Sequence, residues 1–245
     1  MNPVIDLLKS HRSIRKFRPE PVDQETVNQL VAAGQSAATS SFIQACTVIQ
    51  VDDPEVRGQL MECTGGQVYV GSAPRFLVFC ADMHRHQIAC TMHDAEMRSG
   101  FTEQFLTASL DCALFAQNVV VAAESAGLGT VYIGGIRNQI QRVAELLELP
   151  ELVYPVFGLC LGFPDQDPET KPRLPLESVL KHERYDDSQE REIIAAYDEE
   201  IREYYRTRTG GNKEMSWSEQ ISGMLVKEAR PHMMDFLNSR GFLKK

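Results

Sequence analysis

The sequence predicts an α/β sandwich with a mixed sheet. Apolar segments of strand length alternate with segments of helical periodicity along the first two thirds of the chain. A longer segment, at about 101–126, carries apolar residues at spacings of three and four on several faces, which is typical of a buried central helix. The chain has 245 residues, of which 43% are hydrophobic, so it can bury a large core as one soluble globular domain with appendages.

The first elements follow from periodicity and caps. PVIDLLKS predicts a short amphipathic helix, and Asp23 caps a second helix through about residue 37. TVIQV at 47–51 is a strand, the next helix is closed by Gly65, and PRFLVFCAD is a fully buried strand. This order of helix, strand, helix and strand precedes the central helix.

The remaining elements continue the alternation. Gly127 and Gly129 end the central helix, TVYIG is a strand, a helix covers 138–149, and YPVFGLCLGFP is the last strand. Two charged helices at about 189–206 and 216–239 are too polar to form a core alone, so we expect them to embrace the main domain or a partner subunit. We therefore divide the chain into a core, 1–185, and a helical extension, 186–245.

Charge and composition exclude several function classes. The net charge of -9 opposes broad attraction to nucleic acid or to anionic membranes. We identify neither an apolar run of bilayer-spanning length nor a cleavable leader, so we expect a cytoplasmic protein. The six scattered cysteines form no CxxC pair and are expected to be reduced core residues.

Familiar catalytic motifs are missing from the sequence. It contains no GxSxG, HExxH or GxxxxGK[ST], and GLGTVYIGG precedes a strand, whereas a dinucleotide-binding fingerprint follows one. His84, His86, Cys90 and His93 could supply metal ligands, but their spacing fits no regular zinc pattern and a solvated loop is the plainer interpretation. We therefore expect no metal.

The segment HRSIRKFRPEP is a candidate anion site. It concentrates His11, Arg12, Arg15 and Arg18 in an acidic protein, and a phosphate would relieve their mutual repulsion through charge-assisted hydrogen bonds. A solvated turn paired with acidic neighbours is the alternative. The motif alone leaves both interpretations open.

Further candidate ligand-binding residues occur in four short polar or glycine-containing segments. Each has an ordinary interpretation as a loop, turn or helix end, which the segment alone does not exclude. The segments contribute Thr39, Ser40, Ser41 and Gln44; Gln67 and Tyr69; Gly134 and Gly135; and Lys171 and Arg173.

Taken together, HRSIRKF, TSSF, TGGQ-Y-V, AAES-GLG-VYIGGIRN, FGLCLG-P and KPRLP resemble the nitroreductase superfamily. The resemblance runs over essentially the whole chain and is to the oxygen-insensitive NADPH nitroreductases and NADPH:flavin oxidoreductases. It implies an α+β fold, a three-layer α/β/α sandwich with a mixed central sheet. It also implies an intertwined homodimer that exchanges its C-terminal helices and binds FMN non-covalently.

The resemblance also assigns roles to residues of this chain. It places the FMN phosphate on His11, Arg12, Ser13 and Arg173, and the pyrimidine edge of the ring on Arg15, Lys171 and Gln67. Backbone groups of Gly134 and Gly135 would lie near the ring nitrogen that receives hydride. The full set of implied flavin contacts is His11, Arg12, Ser13, Arg15, Thr39, Ser40, Ser41, Gln67, Tyr69, Tyr132, Ile133, Gly134, Gly135, Lys171 and Arg173.

The implied activity is ping-pong hydride transfer from NADPH to FMN and then to nitroaromatics, quinones, chromate or free flavin, with no acid or base side chain. Arg208 and Lys213 stand where relatives place two arginines for the extra phosphate of NADPH. Lysine lacks the forked guanidinium, so we expect NADPH preference to be weaker or shared with NADH. A non-catalytic flavin carrier that delivers reduced flavin to a partner is the alternative.

Overall fold

The computed structural model describes residues 2–212 and 214–245. These residues cluster into two units, one comprising Met1–Pro168 with Arg230–Lys245 and the other comprising Glu169–Ala229. The end of the chain therefore belongs with the first unit. The functional division after residue 185 stays a prediction.

The first unit is built on a four-stranded sheet with the order β1-β2-β4-β3. Its strands are β1 Cys46–Gln50, β2 Arg75–Asp82, β3 Gly129–Ile133 and β4 Val153–Gly162. All three pairings are antiparallel, and in the described part of the chain the parallel component of the expected mixed sheet is a bridge between Ser13 and Thr130. The mixture of helices with this sheet confirms the α+β class.

Eleven α-helices are seen in the described residues. They are α1 Pro3–Lys9, α2 Gln24–Gln35, α3 Pro54–Cys63, α4 Val68–Ser72, α5 His84–Thr91, α6 Thr102–Ser125, α7 Ile140–Leu146, α8 Leu176–Val179, α9 Glu190–Thr209, α10 Trp217–Leu225 and α11 Met233–Ser239. The predicted start of α2 is confirmed, because the Asp23 carboxylate accepts the Thr26 N–H at 2.7 Å.

Three predicted boundaries were wrong. Residues 134–139 form a 3-10 helix, so α7 is shorter than the predicted 138–149 helix. Gly129 belongs to β3 rather than to the end of the central helix. The predicted 216–239 helix is two helices, because Arg230 has a φ of 57° and Pro231 lacks the N–H that a continuous helix needs.

The core lies on both faces of the sheet. Side chains alternate along β2, so that Leu77 and Phe79 pack with α2 and α6, whereas Phe76 and Val78 pack with residues of α3 and α7. The first unit therefore has three layers, with helices on either side of the sheet.

The 24-residue helix α6 is long and apolar enough, by length and composition, to cross a membrane, which corrects the expectation that the chain has no such segment. One face of α6 belongs to the protein core, where Ala108, Cys112 and Ala116 are fully buried. Buried core helices can have the same length and apolar composition, so these two properties are weak evidence for a membrane span.

The second unit has its own small core. Tyr197, Ile201, Tyr204 and Tyr205 of α9 form an apolar cluster, against which Trp217 of α10 packs. The Asp198 carboxylate accepts the backbone N–H and the hydroxyl of Ser218, which attaches α10 to α9. The expectation that the charged helices are too polar to form a core alone is therefore corrected, because α9 and α10 share a small one.

Candidate functional site

The cationic segment found in the sequence lies beside the edge strand β3. The Ile14 N–H donates to the Thr130 carbonyl at 2.8 Å, and the buried Ile14 side chain anchors the segment. Ser13 forms the bridge to Thr130.

Carboxylates lie beside the first two basic residues of this segment. His11 Nδ1 lies 2.6 Å from Glu124 Oε1 at the end of α6, and Arg12 Nη1 donates to Asp167 Oδ1 at 2.5 Å. These pairs are the acidic neighbours that the solvated-turn alternative requires. Arg12, Glu124 and Asp167 line a groove of 590 Å3 beside the segment. The geometry is therefore compatible with both interpretations of the motif.

Arg15 presents its guanidinium to solvent. Its backbone N–H donates to Gln166 Oε1 at 3.3 Å, while its side chain is exposed. The segment 165–167 therefore borders the cationic segment at two residues, Arg12 and Arg15. A positive charge that is exposed on an ordered backbone is available to an anionic ligand.

The polar loop that starts at Thr39 is held by a buried carboxylate. Asp111 of α6 accepts the Ser40 N–H at Oδ1 and the Ala45 N–H at Oδ2, each at 3.1 Å. The Thr39 hydroxyl accepts the Gln44 N–H at 3.4 Å. The predicted contact residues Thr39, Ser40 and Ser41 therefore belong to one ordered loop, in which Ser40 and Ser41 are exposed.

Two residues of α5 hold the same loop by its carbonyl groups. Arg85 Nη1 donates to the Gln44 carbonyl at 3.0 Å and to the Cys46 carbonyl at 3.3 Å. His86 Nε2 lies 2.6 Å from the Ile43 carbonyl, and since a carbonyl only accepts, this nitrogen carries the proton. Loop 39–45 is thus bound on two sides.

The two glycine-containing segments of the sequence meet in the structure. A Cβ added to Gly135 would stand 3.0 Å from the Thr64 carbonyl oxygen and 3.3 Å from Gln67 Nε2. Only glycine allows the turn after β3 to approach the loop after α3 this closely. Gln67 and the turn at Gly134 and Gly135 therefore form one region.

The other predicted contacts in the first unit surround this region or the strand that leads to it. Ile133 is buried at the end of β3. Tyr132 is partly exposed, packs edge to face on Phe157 with centroids 5.0 Å apart, and burial of its hydroxyl raises its pKa. Tyr69 is half-buried on α4, and its carbonyl accepts the Cys160 thiol. Contacts of these three residues with a ligand stay a prediction.

Arg230, which was not among the predicted residues, contacts the glycine turn. Arg230 Nη2 donates to the Gly134 carbonyl at 3.3 Å, and its Nε donates to Asn138 Oδ1 at 2.9 Å. The signal available in the sequence was a single arginine before Pro231, which says nothing about its partner. Burial and the neighbouring Arg230 both lower the pKa of the guanidinium of Arg137 in the same turn.

Asp111 and Glu124 were also missed. They are two of the three charged residues in the apolar segment 102–125, the third being Glu103. A carboxylate in an apolar helix requires partners, because burying it unpaired is costly. This was a usable sequence signal, although it did not identify the partners.

The remaining candidates lie in the second unit. Lys171 Nζ donates to the Tyr205 hydroxyl at 3.0 Å, and Arg173 Nη1 donates to the Lys171 carbonyl at 3.0 Å. Arg208 Nη1 donates to the Tyr204 hydroxyl at 2.9 Å, and its guanidinium lies 5.8 Å from the centre of that ring. Lys213 lies outside the described residues.

The histidines considered as metal ligands have other surroundings. His84 and His86 lie on α5, whereas His93 follows that helix. Over residues 2–212 and 214–245, no three His, Cys, Asp or Glu side chains are grouped so that they could hold a metal ion. His86 contributes instead to the contacts of loop 39–45.

Two protein-family models together match most of the chain. The nitroreductase family matches residues 8–163, and the C-terminal domain of the nitroreductase family matches residues 171–245. The first match contains the cationic segment, loop 39–45 and the glycine turn. The second contains Lys171, Arg173 and Arg208.

Curated relatives align over the full length. The chain is 46% identical over 242 residues to an oxygen-insensitive NADPH nitroreductase of Salmonella typhimurium, with 99% of both chains covered. It is 42% identical over 245 residues to an NADPH-flavin oxidoreductase of Vibrio harveyi, with 100% of both covered.

Solved structures give the same result. NfrA1 of B. megaterium superposes with a TM-score of 0.97 at 42% identity, covering 99% of this chain and 100% of the other. The NADPH:FMN oxidoreductase of Vibrio harveyi, in complex with NAD+, superposes with a TM-score of 0.91 at 41% identity, covering 100% of both chains. The predicted fold is therefore confirmed by structures of proteins similar to this chain.

Proposed function

This chain belongs to the nitroreductase family, and we propose that it binds FMN non-covalently at the edge of its sheet, beside β3. It is an NAD(P)H-dependent flavin oxidoreductase, since the nitroreductase and the flavin oxidoreductase that it resembles align with it from end to end. That full-length similarity is the observation that carries the function. The identity of the flavin and its contacts are our proposal.

The arrangement along β3 supports an extended ligand with a phosphate at one end and a flat ring at the other. The cationic segment pairs with Thr130, and the glycine turn follows four residues later. At about 3.3 Å per residue, these two regions are separated by about 13 Å. The ribityl chain of FMN joins a phosphate to a flat ring in this way.

Side chains near the start of β3 would bind the phosphate. We assign it to His11, Arg12 and Ser13, where the pairing of His11 with Glu124 holds one ring nitrogen and leaves the other for a ligand oxygen. Arginine is suited to this role because it forms forked hydrogen bonds with phosphate oxygens. Asp167 would then share Arg12 with the ligand or release it.

Residues beyond β3 would orient the flat ring. The glycine turn lets a ring approach the backbone, and Gln67 offers an amide to the ring carbonyls. The exposed cation of Arg15 would favour the negative charge of the reduced ring. When bound, FMN supplies the hydride chemistry, first with the nicotinamide cofactor and then with an acceptor.

The acceptors that we propose are nitroaromatics, quinones and free flavins. No described residue is assigned an acid or base role, so selection would depend on the shape of an open ledge over the ring. A flavin carrier without turnover is the second candidate. The Arg208 assignment argues against a carrier, because a carrier has no need to bind the extra phosphate of NADPH.

We further propose a homodimer. Leu106, Leu110 and Leu114 recur every fourth residue of α6 and are exposed in the single chain, which makes one apolar stripe. Apolar stripes of this kind are commonly covered by a second subunit. We also propose a cytoplasmic location, where NADPH is available and the six free cysteines would stay reduced.

The test of the function is an anaerobic visible absorption spectrum of the purified protein, before and after one equivalent of NADPH. We expect a bound oxidised flavin whose absorption is lost promptly on addition of NADPH. A flavin band that resists both NADPH and NADH would favour the carrier. The absence of a flavin band after incubation with FMN would overturn the FMN proposal.

A further inference from the structure

Asp111 is a buried carboxylate that has no role in the proposed chemistry. It is 3% exposed and is the only charged residue between Glu103 and Glu124 on the apolar helix α6. A carboxylate in such a place is costly unless hydrogen bonds compensate for lost hydration. Its two oxygens accept the N–H groups of Ser40 and Ala45, so each bonds to one end of the same loop.

The backbone between those two N–H groups is strained. Ser41, Phe42 and Gln44 have φ angles of 48°, 59° and 57°, in the left-handed region that residues other than glycine avoid. Three such residues within four positions persist only when the surroundings impose the conformation. Loop 40–45, the part of loop 39–45 between these two N–H groups, is therefore held in this conformation by its contacts rather than by the backbone preferences of its residues.

Two helices make those contacts, one with N–H groups of the loop and the other with its carbonyl groups. Asp111 accepts N–H groups from the α6 side, whereas Arg85 of α5 donates to the Gln44 carbonyl at 3.0 Å. His86 donates to the Ile43 carbonyl. Two N–H groups and two carbonyl groups of the loop are thus bound by side chains of α6 and α5.

We propose that Asp111, assisted by Arg85, is a positioning residue that holds loop 40–45 in its strained form, so that Ser40 and Ser41 are ordered for the flavin. This inference rests on the proposed FMN site. Because the loop is ordered during folding, FMN binding does not bear the cost of ordering it. Without the carboxylate, the left-handed residues would relax and the two serines would lose their alignment.

The first test is Asp111→Asn. Asparagine keeps the shape and one acceptor oxygen, but it turns an NH2 group toward the other loop N–H. Since a hydrogen bond to a charged group is worth about ten-fold or more in an equilibrium constant, we expect the FMN dissociation constant to rise about ten-fold. Titration of the apoprotein with FMN, followed by flavin fluorescence, measures it.

The matched control is Asp198→Asn. Asp198 is also buried, at 8% exposure, and also accepts two hydrogen bonds, both from Ser218 in the second unit. We expect this variant to lose thermal stability and to bind FMN like the wild type. Equal weakening of FMN binding in both variants would mean that loss of any buried carboxylate is sufficient, and would overturn the proposal.

A second variant separates positioning from general stability. Adding Gln44→Gly to Asp111→Asn removes the steric cost of the left-handed conformation at one position. We expect it to restore FMN affinity by about three-fold, whereas Glu148→Gly, at a φ of 50° outside the loop, restores none. Equal effects of the two glycines would contradict the role of strain.

The outcomes distinguish this inference from the proposed function. If wild-type protein binds no FMN, the FMN site itself is wrong, whereas wild-type binding with unchanged affinity in Asp111→Asn overturns only the positioning role. Should Asp111→Asn fail to fold, Arg85→Gln tests the same loop, since the Arg85 side chain is 52% exposed. We expect weaker FMN binding at an unchanged melting temperature, and unchanged binding would overturn the proposal.

Discussion

At the scale of single residues, two basic residues of the cationic segment are paired with carboxylates that the sequence did not associate with them. His11 pairs with Glu124 and Arg12 with Asp167. Such pairs contribute little to stability when they are exposed, as Asp167 is. Their effect is to orient the cations. A phosphate that binds here has to compete with the Asp167 carboxylate for the Arg12 guanidinium. FMN affinity therefore depends on the strength of the Arg12–Asp167 pair.

Arg208 gives the prediction at this scale. Its guanidinium lies over the Tyr204 ring and donates to that hydroxyl, so it is ordered for an anion. We expect Arg208→Ala to raise the KM for NADPH about ten-fold, because a charge-assisted contact to the extra phosphate is lost, and to change the KM for NADH less than two-fold. Steady-state kinetics with both cofactors measure the difference.

Arg191→Ala is the control for Arg208→Ala. Arg191 is an exposed arginine on the same helix, near the opposite end of α9. Its removal should leave both KM values unchanged. A similar rise for NADPH and NADH in Arg208→Ala would show that the residue does not recognise the extra phosphate.

At the scale of elements, the contact between α2 and α6 depends on Gly34. A Cβ at this position would stand 2.3 Å from Phe115 Cε1 and 2.7 Å from Val119 Cγ2. We expect Gly34→Ala to lower the free energy of unfolding by about 1–3 kcal/mol, because the helices would have to separate. Urea denaturation measures the change.

Gly58→Ala is the matched helical substitution. Gly58 lies inside α3, and nothing is within 4 Å of a Cβ added there. Alanine should raise the free energy of unfolding by about 0.5–1 kcal/mol through its helix propensity. If both alanines shifted stability in the same direction, packing against α6 would not be the reason for glycine at position 34.

At the scale of the whole molecule, the leucine stripe of α6 bears on assembly. Leu110 lies at its centre and is 61% exposed in the single chain. If a second subunit covers the stripe, Leu110→Glu places two charges in an apolar interface and should convert the dimer to single chains. Light scattering coupled to size-exclusion chromatography measures the mass.

Met92→Glu provides the comparison for Leu110→Glu. Met92 is an exposed apolar residue that follows α5, outside both the stripe and the C-terminal helices. We expect this variant to keep the mass of the wild type. A wild-type protein that elutes as a single chain, or a Leu110→Glu variant that stays dimeric, would contradict the proposed interface.

The sequence alone determined the elements whose signals are local, and it identified the family. Asp23 predicted the start of α2, the apolar run at 75–82 predicted β2, and ordered motifs such as HRSIRKF indicated the nitroreductases. Caps, periodicity and motifs act between neighbours in the chain, so they can be recognised without a structure. The break at Pro231 was equally local, but helical periodicity on both sides concealed it.

Only the tertiary structure decided how the candidate residues are held. His11 and Glu124 are 113 positions apart, Arg12 and Asp167 are 155 apart, and Ser40 and Asp111 are 71 apart. The need of the carboxylates at 111 and 124 for partners could have been read from their apolar surroundings in the sequence, but their partners could not. Such contacts depend on the order of strands and the packing of α6 on the sheet, because local preferences carry no information about which distant groups meet. The position of Asp111 under loop 40–45 is therefore a property of the folded chain.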